Sequence, residues 1–185
     1  MILYLLIIFF SVVFICISNL VLYNSVAVCL WTVIAVLEVC AVDALVAWIV
    51  HAVPEEKVNP FAPHYQVGSK ERKLYEKLGV RKWKDVIPET GKYLCHFAKD
   101  KIAEPNDNVY LLKFLRETCY AEVMHLLSFF LQFLLLIIPF YRATIMVPVV
   151  CVNGFLQLLP VIVQRYNRCR MIKLYRFNEK RQKAI

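Results

Sequence analysis

ILYLLIIFFSVVFICISNLVLY, residues 2–23, contains no charged side chain, and its reading decides the fold. At about 1.5 Å of rise per residue, such a run crosses roughly 30 Å of hydrocarbon as a single helix. A cleaved signal peptide is the competing reading. It is disfavoured because no Lys or Arg precedes the run, the run is long for a signal's apolar segment, and no Ala-x-Ala site follows. Residues 26–53 form a second apolar run that ends at Pro54 and carries Glu38 and Asp43. Asn24-Ser25 leaves room only for a tight turn, so the two runs are expected to form an antiparallel helical hairpin.

The rest of the chain extends this pattern. After Pro105, Asn106 or Asp107 can cap a long helix with no breaker before Pro139, amphipathic at first and apolar from about Ala121. Tyr141-Arg142 marks a turn, and residues 143–163 form a fourth run with Pro148, Gly154 and Pro160 as kink positions. The chain is 60% hydrophobic, with the apolar residues gathered into runs rather than scattered as in a soluble domain. The predicted fold is an all-α integral membrane protein: a four-transmembrane-helix bundle with spans 2–23, 26–53, 119–140 and 143–163. A cytosolic amphipathic-helical loop (54–117) joins its two hairpins, and a basic tail (165–185) follows. The seven cysteines include no Cys-x-x-Cys pair and read as small apolar side chains, not as a disulfide framework or a zinc site.

Within the loop, Ser69–Leu78 reads as a short helix capped by Ser69 and stopped by Gly79, and Trp83, Val86 and Ile87 suit the headgroup level. The loop and tail hold twenty-one of the twenty-two Lys and Arg residues, leaving only Arg142 for the opposite side. The positive-inside rule therefore places loop, tail and both termini in the cytosol. Topology thus accounts for the net charge of +8, and nucleic-acid binding has no support beyond that charge.

Ionisable groups at membrane depth cost at least about 2.5–3.5 kcal/mol each on insertion scales, so Glu38, Asp43, Glu122 and His125 each need an explanation. Glu122 and His125 stand at i,i+3 on one helix face, with Thr118 and Gln132 extending the stripe. A carboxylate beside an imidazole can fix its tautomer and raise its basicity, as a general base requires, although an interhelical hydrogen-bond pair is the simpler structural reading. In the fourth run Asn153, Gln157 and Gln164 fall on one stripe that ends in Arg165 and Arg168. That stripe is either a polar wall whose arginines receive a phosphate or carboxylate, or a basic end snorkelling at the interface. A metal site is disfavoured: Glu-x-x-His has no second copy, and the four histidines stand far apart. There is no Gly-x-Ser-x-Gly elbow, no Walker A motif and no glycine-rich dinucleotide loop.

Three ordered segments carry a family resemblance. They are Asn59-Pro60-Phe61; the stretch from Leu74 through Trp83-Lys84-Asp85 to Pro88-Glu89; and Glu117-Thr118 with Glu122 and His125, followed by Gln164-Arg165-Tyr166-Asn167-Arg168. Over roughly residues 59–170 the chain resembles the glycosyl-4,4'-diaponeurosporenoate acyltransferase family of bacterial membrane enzymes. The resemblance implies acylation of a sugar hydroxyl on a glycosylated lipid such as a carotenoid glycoside. The acyl group would come from a coenzyme A or carrier-protein thioester used as co-substrate, with no other cofactor. On this reading His125, oriented by Glu122, is the catalytic pair. Gln164, Arg165, Asn167 and Arg168 hold the donor or the oxyanion, Trp83, Lys84 and Asp85 shape the cytosolic mouth, and Glu38 and Asp43 join the substrate-binding set. Two other classes stay open: a non-catalytic protein binding lipid or a partner through its basic segments, and a metal-dependent membrane oxidase or desaturase.

Overall fold

The computed structural model describes residues 2–87, 102–137 and 143–183, with side chains from Leu5 onward. Pro139, the turn at Tyr141-Arg142 and the Pro88-Glu89 end of the loop motif lie outside the described residues. Among the described residues the elements are all helical: α1 (Ile2–Tyr23), α2 (Ala27–His51), α3 (Ser69–Lys77), α4 (Val80–Trp83), α5 (Asn108–Leu131) and α6 (Ala143–Lys183). Short 3₁₀ turns cover Glu55–Lys57, Pro63–Tyr65, Lys84–Val86 and Gln132–Ile137. Four helical stretches are long and apolar enough to cross a membrane. The chain divides into two compact units: one of Met1–Ala52 and Met124–Leu159, the other of Val53–Val123 and Pro160–Ile185.

In the first unit α1 and α2 form a hairpin whose turn rests on Asn24, at φ +46°, a left-handed conformation that asparagine tolerates better than most side chains. Ile15, Val28, Ala35 and Val39 pack with Ile145, Met146, Val149 and Val150 of α6 into one buried cluster. Facing outward are Phe9, Phe14, Val21, Trp48, Phe130 and Phe155, each at least 60% exposed. So much exposed large apolar surface suits lipid chains and not water.

α6 stays helical through the expected kink positions Pro148, Gly154 and Pro160, and it continues through the basic stretch to Lys183. Proline at 148 cannot donate to the carbonyl of residue 144. That carbonyl instead accepts a bond from Asn19 Nδ2 of α1 (3.1 Å), so the defect is repaired by a neighbouring helix. Gly154 lets α6 approach closely, since a β-carbon there would lie 3.1 Å from Gln132 Nε2 and 3.3 Å from the Phe129 ring. The long helix was expected to run without a breaker to Pro139. It tightens to 3₁₀ from Gln132 to Ile137, a common form of helix ending.

In the second unit, Leu111, Phe114 and Leu115 of α5 pack on Met171 and Ile172 of α6, with Phe61, Tyr110 and Tyr175 around them. The cap of α3 is Gly68 and not Ser69, which is already the first helical residue. Gly79 stops α3 in the left-handed region at φ +63° and opens directly into α4.

Candidate functional site

Helix α5 carries one polar stripe, and its residues enter two separate clusters. Thr118 and Glu122 belong to the second unit, His125 and Gln132 to the first.

In the second unit Glu122, 4% exposed, gives one carboxylate oxygen to Arg165 Nη1 at 2.5 Å and the other to Arg168 Nη1. Arg165 also binds Glu71 through two parallel bonds, Nε to Oε1 at 2.5 Å and Nη2 to Oε2 at 2.9 Å. The planar guanidinium fork matches a carboxylate in this way, which a lysine could not do. Arg165 further donates to the carbonyls of His64 and Gln66. Arg168 is fully buried, donates to Thr118 Oγ1 (2.9 Å) and to the Thr118 carbonyl (2.7 Å), and lies 5.0 Å from the centre of the Tyr65 ring. Two guanidinium groups thus meet two carboxylates with no net charge. The Arg165 guanidinium holds the Glu71 carboxyl below its usual range. Burial, reinforced by the bond it donates to Glu71, pushes the Tyr75 phenol up, and burial does the same to Tyr65.

In the first unit His125 Nδ1 lies 2.5 Å from Gln157 Oε1. The same amide turns its Nε2 to Asp43 Oδ2 at 2.7 Å. Asn153 Nδ2 donates to Asp43 Oδ2 (3.2 Å) and to Gln132 Oε1 (2.9 Å). An amide oxygen can only accept, so Nδ1 of His125 carries the hydrogen, and in the neutral ring the lone pair resides on Nε2. Asp43 fixes the amide, and the amide fixes the tautomer. This chain can therefore present an imidazole nitrogen able to take a proton. Glu38, on α2 with Asp43, has its Oε2 buried without a hydrogen-bond partner among the described residues.

Glu122 was expected to orient His125, but both its oxygens are held by guanidinium groups, and the imidazole Nδ1 meets Gln157. A guanidinium competes far better than an imidazole nitrogen for a buried carboxylate. The carboxylates received by Arg165 and Arg168 are the chain's own. Gln164 is buried on α6, and Asn167 is half-buried and lines a cavity with Lys84. Trp83 Nε1 is tied to the Leu78 carbonyl (3.2 Å), and Lys84 pairs with the exposed Asp85 at 2.5 Å. Glu71 and Tyr65 escaped the sequence reading. Glu71 sits among surface-type charges of a short helix, where no local signal marks it as a partner for Arg165.

The match to known proteins runs across these residues. The family model described as glycosyl-4,4'-diaponeurosporenoate acyltransferase matches residues 58–177. The chain belongs to this family. The matched region includes α3, α4 and α5, and it ends within α6, so it takes in Glu71, Glu122, His125, Gln157, Arg165 and Arg168. Asp43 and Glu38 precede it. The family's name is that of an acyltransferase acting on a glycosylated diaponeurosporenoate. No curated protein and no solved structure matches the chain.

Proposed function

We propose that the chain is a membrane acyltransferase that moves a fatty acyl group from a thioester to a hydroxyl of a glycosylated lipid. The hydrogen-bonded series Asp43–Gln157–His125 carries this reading, because it fixes the tautomer that puts the lone pair of the neutral imidazole on Nε2. The acceptor oxygen attacks the thioester carbonyl as its proton passes to His125. The carbon–oxygen bond forms, the carbon–sulfur bond breaks, and the thiolate leaves with the proton that His125 returns. General-base help of this kind contributes about 10²–10⁴-fold. Gln157 and Asp43 act as positioning residues, a part assigned in sequence to Glu122.

Family membership supports the class of reaction, and a carotenoid glycoside fits the family's name as acceptor. The four apolar helices and the charge distribution support a multi-pass place in a bacterial cell membrane with both termini cytosolic. The donor is a coenzyme A or carrier-protein thioester, and no metal or other cofactor enters the reaction.

The test is turnover of purified protein with acyl thioester and glycolipid. His125→Ala should lose at least about 10²-fold in kcat. Gln157→Leu should also lose kcat, with little change in either KM, whereas Gln157→Glu, which keeps an acceptor oxygen, should retain part of it. Full turnover in a folded His125→Ala protein would sink the proposal and favour a non-catalytic lipid- or partner-binding role.

A further inference from the structure

Arg165 and Arg168, the two arginines that the sequence offers to an anionic ligand, are neutralised inside the chain by Glu71 and Glu122. A guanidinium without such a tie lies two residues further on. Arg170 is exposed and makes no ion pair or hydrogen bond among the described residues. It lines a cavity of about 340 Å³ in the second unit. Asn167, Arg170, Met171 and Leu174 enter that cavity from one face of α6, at i, i+3, i+4 and i+7, and Phe114 of α5, Ile102 and Lys84 complete its wall. Among the described residues Lys84 is paired with Asp85 alone, whose side chain is 76% exposed, so a stronger anion can displace that partner.

The lining therefore offers two cations and an amide beside an apolar wall. Phe114 and Met171 of that wall belong to the buried cluster of this unit, which makes it a rigid surface. The complementary ligand is a phosphate continued by a flexible, uncharged chain. Its size is set by a volume at the lower end of small-molecule sites, which run from about 300 to 1,000 Å³.

We propose that this cavity binds the phosphate end of the phosphopantetheine arm, the part that coenzyme A and acyl carrier proteins share. The proposal rests on the reading of the chain as a thioester-dependent acyltransferase. It assigns donor recognition to Arg170, Lys84 and Asn167 and leaves Arg165 and Arg168 as internal ties. A lipid headgroup carries the same phosphate chemistry, and the experiment separates the two.

Full-length protein in nanodiscs of phosphatidylcholine is titrated with 4′-phosphopantetheine and with pantetheine, which lacks the phosphate. The phosphorylated compound should bind at least about tenfold more tightly, the scale of a charge-assisted contact. Arg170→Gln should abolish that preference, Arg170→Lys should keep most of it, and Asn167→Ala should weaken it. With turnover, Arg170→Gln should raise the donor KM and leave the acceptor KM unchanged. Equal binding of the two compounds, or a preference untouched by Arg170→Gln, overturns the proposal. So does complete competition by phosphatidylglycerol added to the nanodiscs, which would mark a lipid headgroup as the occupant. Repeating the titration in His125→Ala separates the two readings. A phosphate preference there supports the cavity even if transfer is never found, and its absence there overturns the cavity while leaving the His125 test intact.

Discussion

Glu122 holds two guanidinium groups with one carboxylate, and Arg168 has no exposed surface through which water could replace it. Breaking a buried pair from one side leaves an uncompensated charge and typically costs about 3–5 kcal/mol. Glu122→Gln is accordingly expected to unfold at a markedly lower temperature, and thermal unfolding in detergent measures it. Loss of turnover in that variant is then a consequence of stability and not a sign of catalysis, which is why Gln157 is the better probe of mechanism. Glu71 adds a pH dependence. Its carboxyl titrates lower in the folded chain than in the unfolded one, whose ordinary value is 4.5. Its contribution is therefore complete above that value and is lost as pH falls through the lowered folded value. Unfolding midpoints measured from pH 7 to pH 3 should fall in the acid range, and Glu71→Gln should flatten that limb.

At the scale of elements, the proline in α6 and the asparagine in α1 form one device. Pro148 frees a carbonyl, and Asn19, 2% exposed, takes it while also bonding its own helix at the Ile15 carbonyl. Asn19→Leu should lower the unfolding midpoint, because the carbonyl of residue 144 loses its donor. Combining it with Pro148→Ala, which restores the α6 bond, should recover most of that loss, as unfolding midpoints of the single and double variants will tell. The runs, the Asn24-Ser25 turn and the Gly79 stop were legible in the sequence, because length, apolarity and left-handed backbone are local properties. The unbroken course of α6 was not legible. What meets the carbonyl that a proline frees is a tertiary matter, and Asn19 lies far away in sequence.

For the molecule as a whole, the charge distribution makes a topological prediction. With cysteine-free protein in intact cells, Ser25→Cys should react with an impermeant maleimide from outside, and Lys57→Cys should react only after permeabilisation. The reverse pattern would invert the assignment. The candidate site was half legible in the same way. Stripes on α5 and α6 follow from spacing, and so does the choice of Glu122, His125, Asn153, Gln157, Arg165 and Arg168 as residues of interest. Which stripe residue meets which is a tertiary fact, and the carboxylates awaited from a ligand proved to be the chain's own. That arrangement has a consequence for biosynthesis. Glu122 leaves the ribosome well before residues 165 and 168, so its ion pairs cannot close until the last helix has followed it. Until then the nascent protein carries an unpartnered acid next to a hydrophobic segment. Chains halted before Arg165 should consequently be held by the insertion machinery or degraded, which makes completion of the C-terminal helix the step that commits the protein to its fold.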